Sequence, residues 1–283
     1  MNDDRSPCRM LLSVVVGLIV LLAACGEPKE RLYRDDQAFA EFALSALSVA
    51  HPDYSFNPAP DSERTSSGLA VTLKAQAIGS FMAGSVGAVT VSVAYDAKTG
   101  VTTVTQLPET RLGRVLKTLS TSKDNVEHSQ DTRELLSNMG ASVEAVAVAE
   151  LAEPVTDALL DRNVGLSQPQ RVLLSLRRGE PPLGNSLYCG RTCDGRSYVA
   201  PFAEWVSTLR SQDQPALKAF GLDLKSLTAV SHRGLIYGLI YEKYDAATLL
   251  AISKNPMVRS LYVVDASLKC ASDSSALCDP VKE

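Results

Sequence analysis

The first folded segment after residue 34 is predicted by a helical spacing of apolar residues. In residues 37–50, QAFAEFALSALSVA, the side chains that fall on one stripe are Phe39, Phe42, Ala43, Leu47 and Ala50. Asp35 or Asp36 can cap this helix, because a carboxylate accepts hydrogen bonds from the free amides of a first turn. The pattern predicts one amphipathic helix that buries one face.

After this helix, the spacing of apolar residues changes to the alternation that is typical of strands. Residues 56–68 are rich in Pro, Ser and Gly and predict a loop. Residues 69–77 alternate apolar and polar, and residues 88–106 form two alternating runs around a hairpin signal at 96–100. We expect an antiparallel meander packed on the first helix. Charged helical sequence over residues 110–140 then predicts a linker.

From Val143 onward the pattern repeats strand, helix and strand. The two units cover residues 143–179 and 234–266. Two β-α-β units in one domain are typical of the split β-α-β, ferredoxin-like arrangement. Between them, at about 180–231, lies a predicted insertion with an amphipathic helix, in which Val199, Phe202, Val206 and Leu209 share one face. The fold class is therefore α+β.

The chain starts with an apolar run that is too short for a stable membrane span. Residues 10–24 are apolar apart from Ser13 and Gly17. A helix of about fifteen residues reaches roughly 22 Å, against a hydrocarbon core of ~30 Å. The run is therefore predicted to be the hydrophobic region of an export signal. It ends in Leu22-Ala23-Ala24-Cys25.

Leu22-Ala23-Ala24-Cys25 resembles the lipobox of bacterial lipoproteins. The resemblance implies that the Cys25 thiol is diacylglycerated and that the signal is cut between Ala24 and Cys25. Two acyl chains anchor a protein stably, since each buried CH₂ contributes about 0.8 kcal/mol. The implied location is the cell membrane or outer membrane, facing the periplasm or exterior. Gly26 after the cysteine implies the outer membrane in a Gram-negative cell.

The predicted organisation follows from these patterns. It comprises a lipoprotein signal peptide (1–24), a tether (25–34), a helix-plus-sheet region with a helical linker (35–140) and a ferredoxin-like domain with its insertion (141–283). The chain has 28 Lys and Arg against 32 Asp and Glu, a net charge of −4, and no basic cluster. Nucleic acid is therefore excluded as a partner, because phosphate binding requires concentrated positive charge.

Four cysteines remain once Cys8 leaves with the signal and Cys25 carries lipid. They are Cys189, Cys193, Cys270 and Cys278. In an exported chain they predict two disulfides with three alternative connectivities, and the short spacings favour the local pairs 189–193 and 270–278. A four-cysteine zinc site is the rival interpretation, although neither pair has the usual C-x₂-C spacing. No cofactor is expected.

Tyrosine and arginine surround the Cys189–Cys193 loop. The candidate partner-binding residues are Tyr188, Arg191, Arg196 and Trp205. Aromatic and arginine side chains dominate interaction hot spots, so this loop is predicted to contact an envelope protein. The alternative is that the rings pack the insertion helix onto the body.

Two motifs bear on an enzymatic alternative. Residues 120–123 form S-x-x-K and residues 98–100 form K-T-G, and together they resemble penicillin-binding enzymes. The order is reversed relative to that family, and K-T-G also fits a hairpin turn. His232 has the least explained position among the three histidines. The enzymatic hypothesis is an envelope hydrolase that uses Ser120 or His232.

A second resemblance lies in the last β-α-β unit. Residues 238–264 are similar to inhibitor or propeptide domains of subtilisin-type proteases, through a helix that ends near Asn255-Pro256 and a strand of the form Val-Arg-x-Leu. This resemblance implies binding to a protease surface. The main hypothesis remains a lipid-anchored, non-enzymatic protein that binds or assembles with an envelope partner.

Overall fold

The computed structural model describes residues 33, 35–79, 88–121, 128–140, 142–166, 168–175, 180–186 and 197–268. By mutual contacts, Met1–Arg34 form one unit and Asp35–Glu283 another. The second unit is the body considered below. Among the helices of the described ranges, none combines the length and hydrophobicity that a membrane span requires.

The N-terminal part of the body is one helix on one antiparallel sheet. Its elements are α1 (Asp36–Ala50), β1 (Tyr54–Phe56), β2 (Asp61–Arg64), β3 (Gly68–Ala77), β4 (Val89–Asp96) and β5 (Val101–Val104). The strand order is β1-β3-β4-β5, and β2 pairs with the same edge of β3 as β1. The predicted helix and meander are confirmed.

Alternating burial explains why this sheet forms. Along β3 the buried side chains are Leu69, Val71, Leu73, Ala75 and Ala77, and on β4 they are Val91 and Val93. They face α1, whose Phe39, Ala43 and Leu47 are fully buried. Asp35 caps α1, because its Oδ1 accepts the Ala38 amide at 2.8 Å. Burying one face of each element stabilises the layer.

The predicted loop at 56–68 is partly wrong. Residues Asp61–Arg64 form β2 and pair antiparallel with Leu69–Thr72 of β3. A tight turn makes the pairing feasible, since the Thr65 amide donates to the Gly68 carbonyl at 2.9 Å. The Pro- and Ser-rich composition is correct for the turns on either side. It gives no indication that β3 needs hydrogen-bond partners along this edge.

The remaining elements form a second sheet with helices. In chain order they are α2 (Arg111–Thr121), α3 (His128–Asn138), β6 (Val143–Val155), α4 (Asp157–Arg162), β7 (Arg171–Ser175), β8 (Leu183–Ser186), α5 (Ala200–Thr208), α6 (Gln214–Ala219), α7 (Leu224–Arg233), β9 (Ile236–Asp245), α8 (Ala246–Ser253) and β10 (Val258–Leu268). The sheet order is β10-β6-β9-β7-β8, all antiparallel. The first four strands have the split β-α-β order, which confirms the ferredoxin-like prediction. The insertion adds β8 as a fifth strand.

The helix α2 packs tightly on this C-terminal sheet. Its Leu112, Leu116 and Leu119 are almost fully buried. They form one cluster with sheet residues Val146, Val148, Leu173 and Ile240. The charged helical sequence predicts only a linker here. The helix forms, but it is also part of the core, because its apolar residues share one face.

The two sheets meet around α1 and the residues that follow it. Phe42 of α1 packs edge-on against Phe220, with ring centroids 5.9 Å apart. Asp53 is buried and accepts the Thr110 hydroxyl at 2.6 Å, and Thr110 Oγ1 in turn accepts the Gly113 amide at 2.7 Å. Thus Asp53, at the start of the N-terminal sheet, fixes the cap of α2 on the C-terminal sheet.

Candidate functional site

Most of the predicted site residues lie outside the described residues. They are Cys25, Tyr188, Cys189, Arg191, Cys193, Arg196, Cys270 and Cys278. Lipidation, the two disulfides and most of the partner surface therefore remain predictions. Trp205 does lie in the described part, and so do the residues on both sides of the 187–196 loop.

Trp205 lies on α5 and is half-buried. Its ring packs against the buried Phe202, with ring centroids 6.3 Å apart. The indole Nε1–H is buried and has no hydrogen-bond partner among the described residues. Phe202 and Val206 therefore pack the helix onto the body, as one of the two sequence interpretations holds. Part of the Trp205 ring remains at the surface.

The two ends of the 187–196 loop are held together at its base. We use "loop base" for Asp157, Asn185, Ser197, Tyr198 and Val199. Asn185 lies in β8 and is buried, and its Nδ2 donates to the Tyr198 carbonyl at 2.6 Å. This bond joins the residues before the loop to those after it. A hydrogen bond from a buried side-chain amide to a backbone carbonyl fixes the local backbone.

Asp157 braces the second end of the loop. Its carboxylate accepts the Ser197 hydroxyl, and it also accepts the amides of Tyr198 at 3.1 Å and Val199 at 3.4 Å. Ser197 Oγ accepts the Ala200 amide at 2.9 Å, so the serine also holds the first residue of α5. Charge-assisted hydrogen bonds of this kind are stronger than neutral ones.

Sequence reasoning missed Asp157, Asn185 and Ser197. Thr156 occupies the N-cap position of α4, but its side chain makes no capping hydrogen bond. The neighbouring Asp157 instead contacts residues 40 positions later. The only local signal is Ser197 in front of the helix-starting Pro201, which is typical of a helix N-terminus.

A tyrosine cluster supports the same region from β9. Tyr244 Oη donates to the Gln168 carbonyl at 2.6 Å, and Tyr241 Oη donates to the Leu166 carbonyl at 3.2 Å. The two rings pack edge-on with centroids 5.2 Å apart. Burial, and after it the charge of Asp161, raises the pKa of Tyr198. Burial likewise raises the pKa of Tyr241, so its hydroxyl stays protonated and donates at neutral pH.

The catalytic candidates lie on three different elements. Lys98 is exposed in the β4–β5 turn, where Asp96 Oδ1 accepts the amides of Lys98 and Thr99 at 2.8 and 2.9 Å. Gly100 has a φ of +72°, so K-T-G forms the turn residues of a hairpin. Ser120 belongs to α2. His232 is exposed in the last turn of α7 and has no hydrogen-bond partner within the described ranges.

Carboxylates and hydroxyls of the body are mainly used to cap local structure. Asp245 caps α8 through Thr248, with the amide at 2.8 Å and the hydroxyl at 2.9 Å. Asp223 caps α7 in the same way through Ser226. In the part of the chain that the structure describes, no group of three or more His, Cys, Asp or Glu is placed to hold a metal ion.

Comparison with known proteins identifies no relative of this chain. No protein-family model matches it, and no curated protein or solved structure is significantly similar to it. The resemblances of residues 22–25 and 238–264 therefore depend on those residues alone. Function has to be argued from the anchor signal and the loop base.

Proposed function

We propose that this chain is a lipid-anchored lipoprotein of the cell envelope whose body binds a protein partner without catalysing a reaction. The observation that carries the binding role is the loop base, in which Asp157 and Asn185 brace both ends of the 187–196 loop. The anchor rests on Leu22-Ala23-Ala24-Cys25 and on the short apolar run before it.

A braced loop favours binding for an entropic reason. Immobilising a rotamer-rich side chain in an interface costs about 0.5–1.5 kcal/mol, and loop ordering adds to that cost. A loop whose ends are already fixed loses less conformational entropy on association, so ordering it costs less free energy. The loop carries Tyr188, Arg191 and Arg196, residue types that concentrate binding energy in interfaces.

The local chemistry also favours binding over hydrolysis. Asp157 and Ser197 carry groups that appear in many active sites, yet here the Ser197 hydroxyl donates to the Asp157 carboxylate, which also accepts the Tyr198 backbone amide. A serine nucleophile requires an adjacent general base with a free acceptor. The Ser197 hydroxyl is instead the donor to a carboxylate that already accepts two amides, so it serves as a brace.

Fatty-acid labelling of full-length protein in a bacterial host tests the anchor. Cys25→Ser should abolish incorporation of an alkyne fatty acid and leave an unprocessed precursor. Cys8→Ser is the matched control, because Cys8 lies in the predicted signal and should leave labelling and processing unchanged. Undiminished labelling of Cys25→Ser would refute the anchor.

Crosslinking of the native acylated protein, followed by mass spectrometry, tests the binding role. We expect one dominant envelope protein in the crosslinked product, and loss of that product in the double variant Arg191→Ala/Arg196→Ala. The control is Arg64→Ala/Arg114→Ala, which removes two exposed arginines from other elements. A product that persists in the loop variant would rule out this loop as the contact.

A further inference from the structure

The chain enters the body at one end of the N-terminal sheet. Phe39, in the first turn of α1, packs on Tyr95 of β4 with ring centroids 6.0 Å apart. Tyr95 and Asp96 end β4, directly before the turn that joins β4 to β5. The N-terminus of α1 therefore lies beside this turn, and we use "hairpin tip" for residues 97–101, of which all but Gly100 are exposed.

The helix α1 ends at the opposite end of the same sheet. His51, which follows α1, packs edge-on against Tyr54, and Tyr54 pairs with Ala77 at the end of β3. The 15 residues of α1 span about 22 Å. The seven steps from Leu69 to Gln76 in β3 span about 23 Å. Hence α1 runs the length of the sheet, away from the hairpin tip.

The loop base lies near the far end of α1. Gly184 of β8 rests against Pro52, so closely that an added Cβ would lie 2.3 Å from the Pro52 Cβ. The next residue, Asn185, holds the Tyr198 carbonyl. The loop base is therefore closer to the C-terminal end of α1 than to the hairpin tip.

The connection to the anchor limits how far the hairpin end can be from the bilayer. Asp35 follows Cys25 by ten positions, and ten residues reach at most about 36 Å when fully extended. A lipid on Cys25 would therefore hold the start of α1 within this distance of the membrane surface. The opposite end of α1 lies about 22 Å further along the helix and can therefore be as far as about 58 Å from the membrane surface.

The hairpin tip has side chains that suit a lipid headgroup layer. Ala97, Lys98 and Thr99 are exposed, and Val101 is 53% exposed, one of the most exposed large apolar side chains of the described residues. A lysine can place its ammonium at headgroup phosphates while its stem contacts apolar groups. The nearby Asp96 Oδ1 accepts the Lys98 and Thr99 amides, so this carboxylate holds the shape of the turn.

We propose that the body stands on the membrane through the hairpin tip, with the loop base held away from the bilayer. The occupant of the tip is the lipid headgroup surface that carries the anchor. This inference rests on the proposed function, because a bilayer is present at this end only if Cys25 carries lipid. It places the candidate partner loop where an envelope protein can reach it.

Fluorescence quenching in vesicles tests this orientation with the acylated full-length protein. The chain has one tryptophan, so Trp205→Phe gives a silent background. Val101→Trp then reports on the hairpin tip, and Ser55→Trp reports on the exposed far end, where Ser55 pairs with Gln76. Vesicles of phosphatidylethanolamine and phosphatidylglycerol contain a lipid with a spin-labelled headgroup. We expect loss of most fluorescence at position 101 and little loss at position 55.

The outcomes separate this inference from the proposed function. If the protein is acylated and bound, and position 55 is quenched as much as position 101 or more, the orientation is wrong and the anchor stands. If Cys25 carries no fatty acid and the protein does not bind vesicles, both fall together. Cys25→Ser should show no quenching at either position. Thr99→Trp replaces Val101→Trp if circular dichroism shows that the latter is unfolded.

Discussion

The two sheets of the body differ in how many of their faces are covered. The N-terminal sheet buries one face against α1, while Lys74, Thr90 and Ser92 on its other face are exposed. The C-terminal sheet is covered on both faces, and all five residues of β7 are buried, including Arg171 and Ser175. An antiparallel sheet can take either form, and its sequence reflects which one it takes.

This difference teaches where the energy of the body is concentrated. Truncation of a side chain in a core that is covered on both faces leaves a cavity that solvent cannot fill. On the open face of the N-terminal sheet, a substituted side chain meets solvent instead, so the free energy of unfolding changes less. The partly buried ion pair of Arg171 and Glu242, with Nε to Oε1 at 3.1 Å, also belongs to the C-terminal sheet. We therefore expect destabilisation to decrease from the C-terminal core, through the junction, to the N-terminal surface.

The largest effect is expected at α2 on the C-terminal sheet. Leu116→Ala removes a side chain that is 1% exposed and packs within the core cluster. Such truncations cost about 2–5 kcal/mol of unfolding free energy, measured by urea denaturation. The matched control is Leu135→Ala on α3, where the leucine is 48% exposed and the cost should be below about 1 kcal/mol. Equal costs would remove the distinction between core and surface.

The second effect concerns the hydrogen bond that joins the two sheets. Asp53→Ala leaves the buried Thr110 hydroxyl without its acceptor at 2.6 Å and loosens the cap of α2. Loss of a buried charged partner costs about 1.5–3 kcal/mol. Asp223→Ala is the control, since Asp223 is an exposed cap of α7 and should cost about 1 kcal/mol. A smaller loss for Asp53→Ala than for this control would show that the junction contributes little.

A third change tests the packing of α1 against β8. Gly184→Ala places a Cβ 2.3 Å from the Pro52 Cβ, so either β8 or the end of α1 has to move. Overpacking of this kind costs about 1–3 kcal/mol. Gly140→Ala places its Cβ at an ordinary van der Waals distance of 3.8 Å from the Ser142 Oγ, and should be nearly neutral in the same urea titration. A neutral Gly184→Ala would mean that the two layers are not in firm contact.

The comparison of the sheets also explains how much the sequence predicts. Apolar and polar residues alternate along β3 and β4 because one face of the sheet meets water, so both strands are predicted from the sequence. The hairpin at 96–100 is predicted from its turn residues. The C-terminal strands are predicted from the repeated β-α-β order instead, because β7 is buried throughout and shows no alternation. The predicted cap Asp35 is confirmed, because a cap depends only on residues next to it in the sequence.

What the sequence did not predict depends on distant partners. The strand β2 exists because the edge of β3 needs hydrogen bonds, and its own residues resemble a loop. Asp157 and Ser197 are 40 positions apart, and no local pattern links them. The packing of α2 required knowledge of which face of the C-terminal sheet was free. Contacts across the fold, rather than periodicity, decide these features.

The smallest effect is a pH dependence at the junction between the sheets. Burial lowers the pKa of His51 from its ordinary value of 6.5, and the charge of Asp53 opposes this shift only in part. Below about pH 6.5 the unfolded chain binds a proton on His51 that the folded chain does not bind until its lower pKa is reached. The body should therefore lose stability as the pH falls from about 7.5 through this window, and gain it as the pH rises.

Substitution of His51 isolates this contribution. His51→Gln should flatten the change in urea midpoint between pH 7.5 and pH 5.5, whereas His232→Gln, at an exposed site, should leave it as in the parent protein. The caps at Asp96 and Asp245 have pKa values lowered by backbone amides from an ordinary 3.8, so they lose their stabilisation only at more acidic pH. The interval between pH 7.5 and pH 5.5 therefore lies above the titration of these two caps. If the urea midpoint of His51→Gln still falls between pH 7.5 and pH 5.5 as in the parent protein, another group causes the pH dependence of stability.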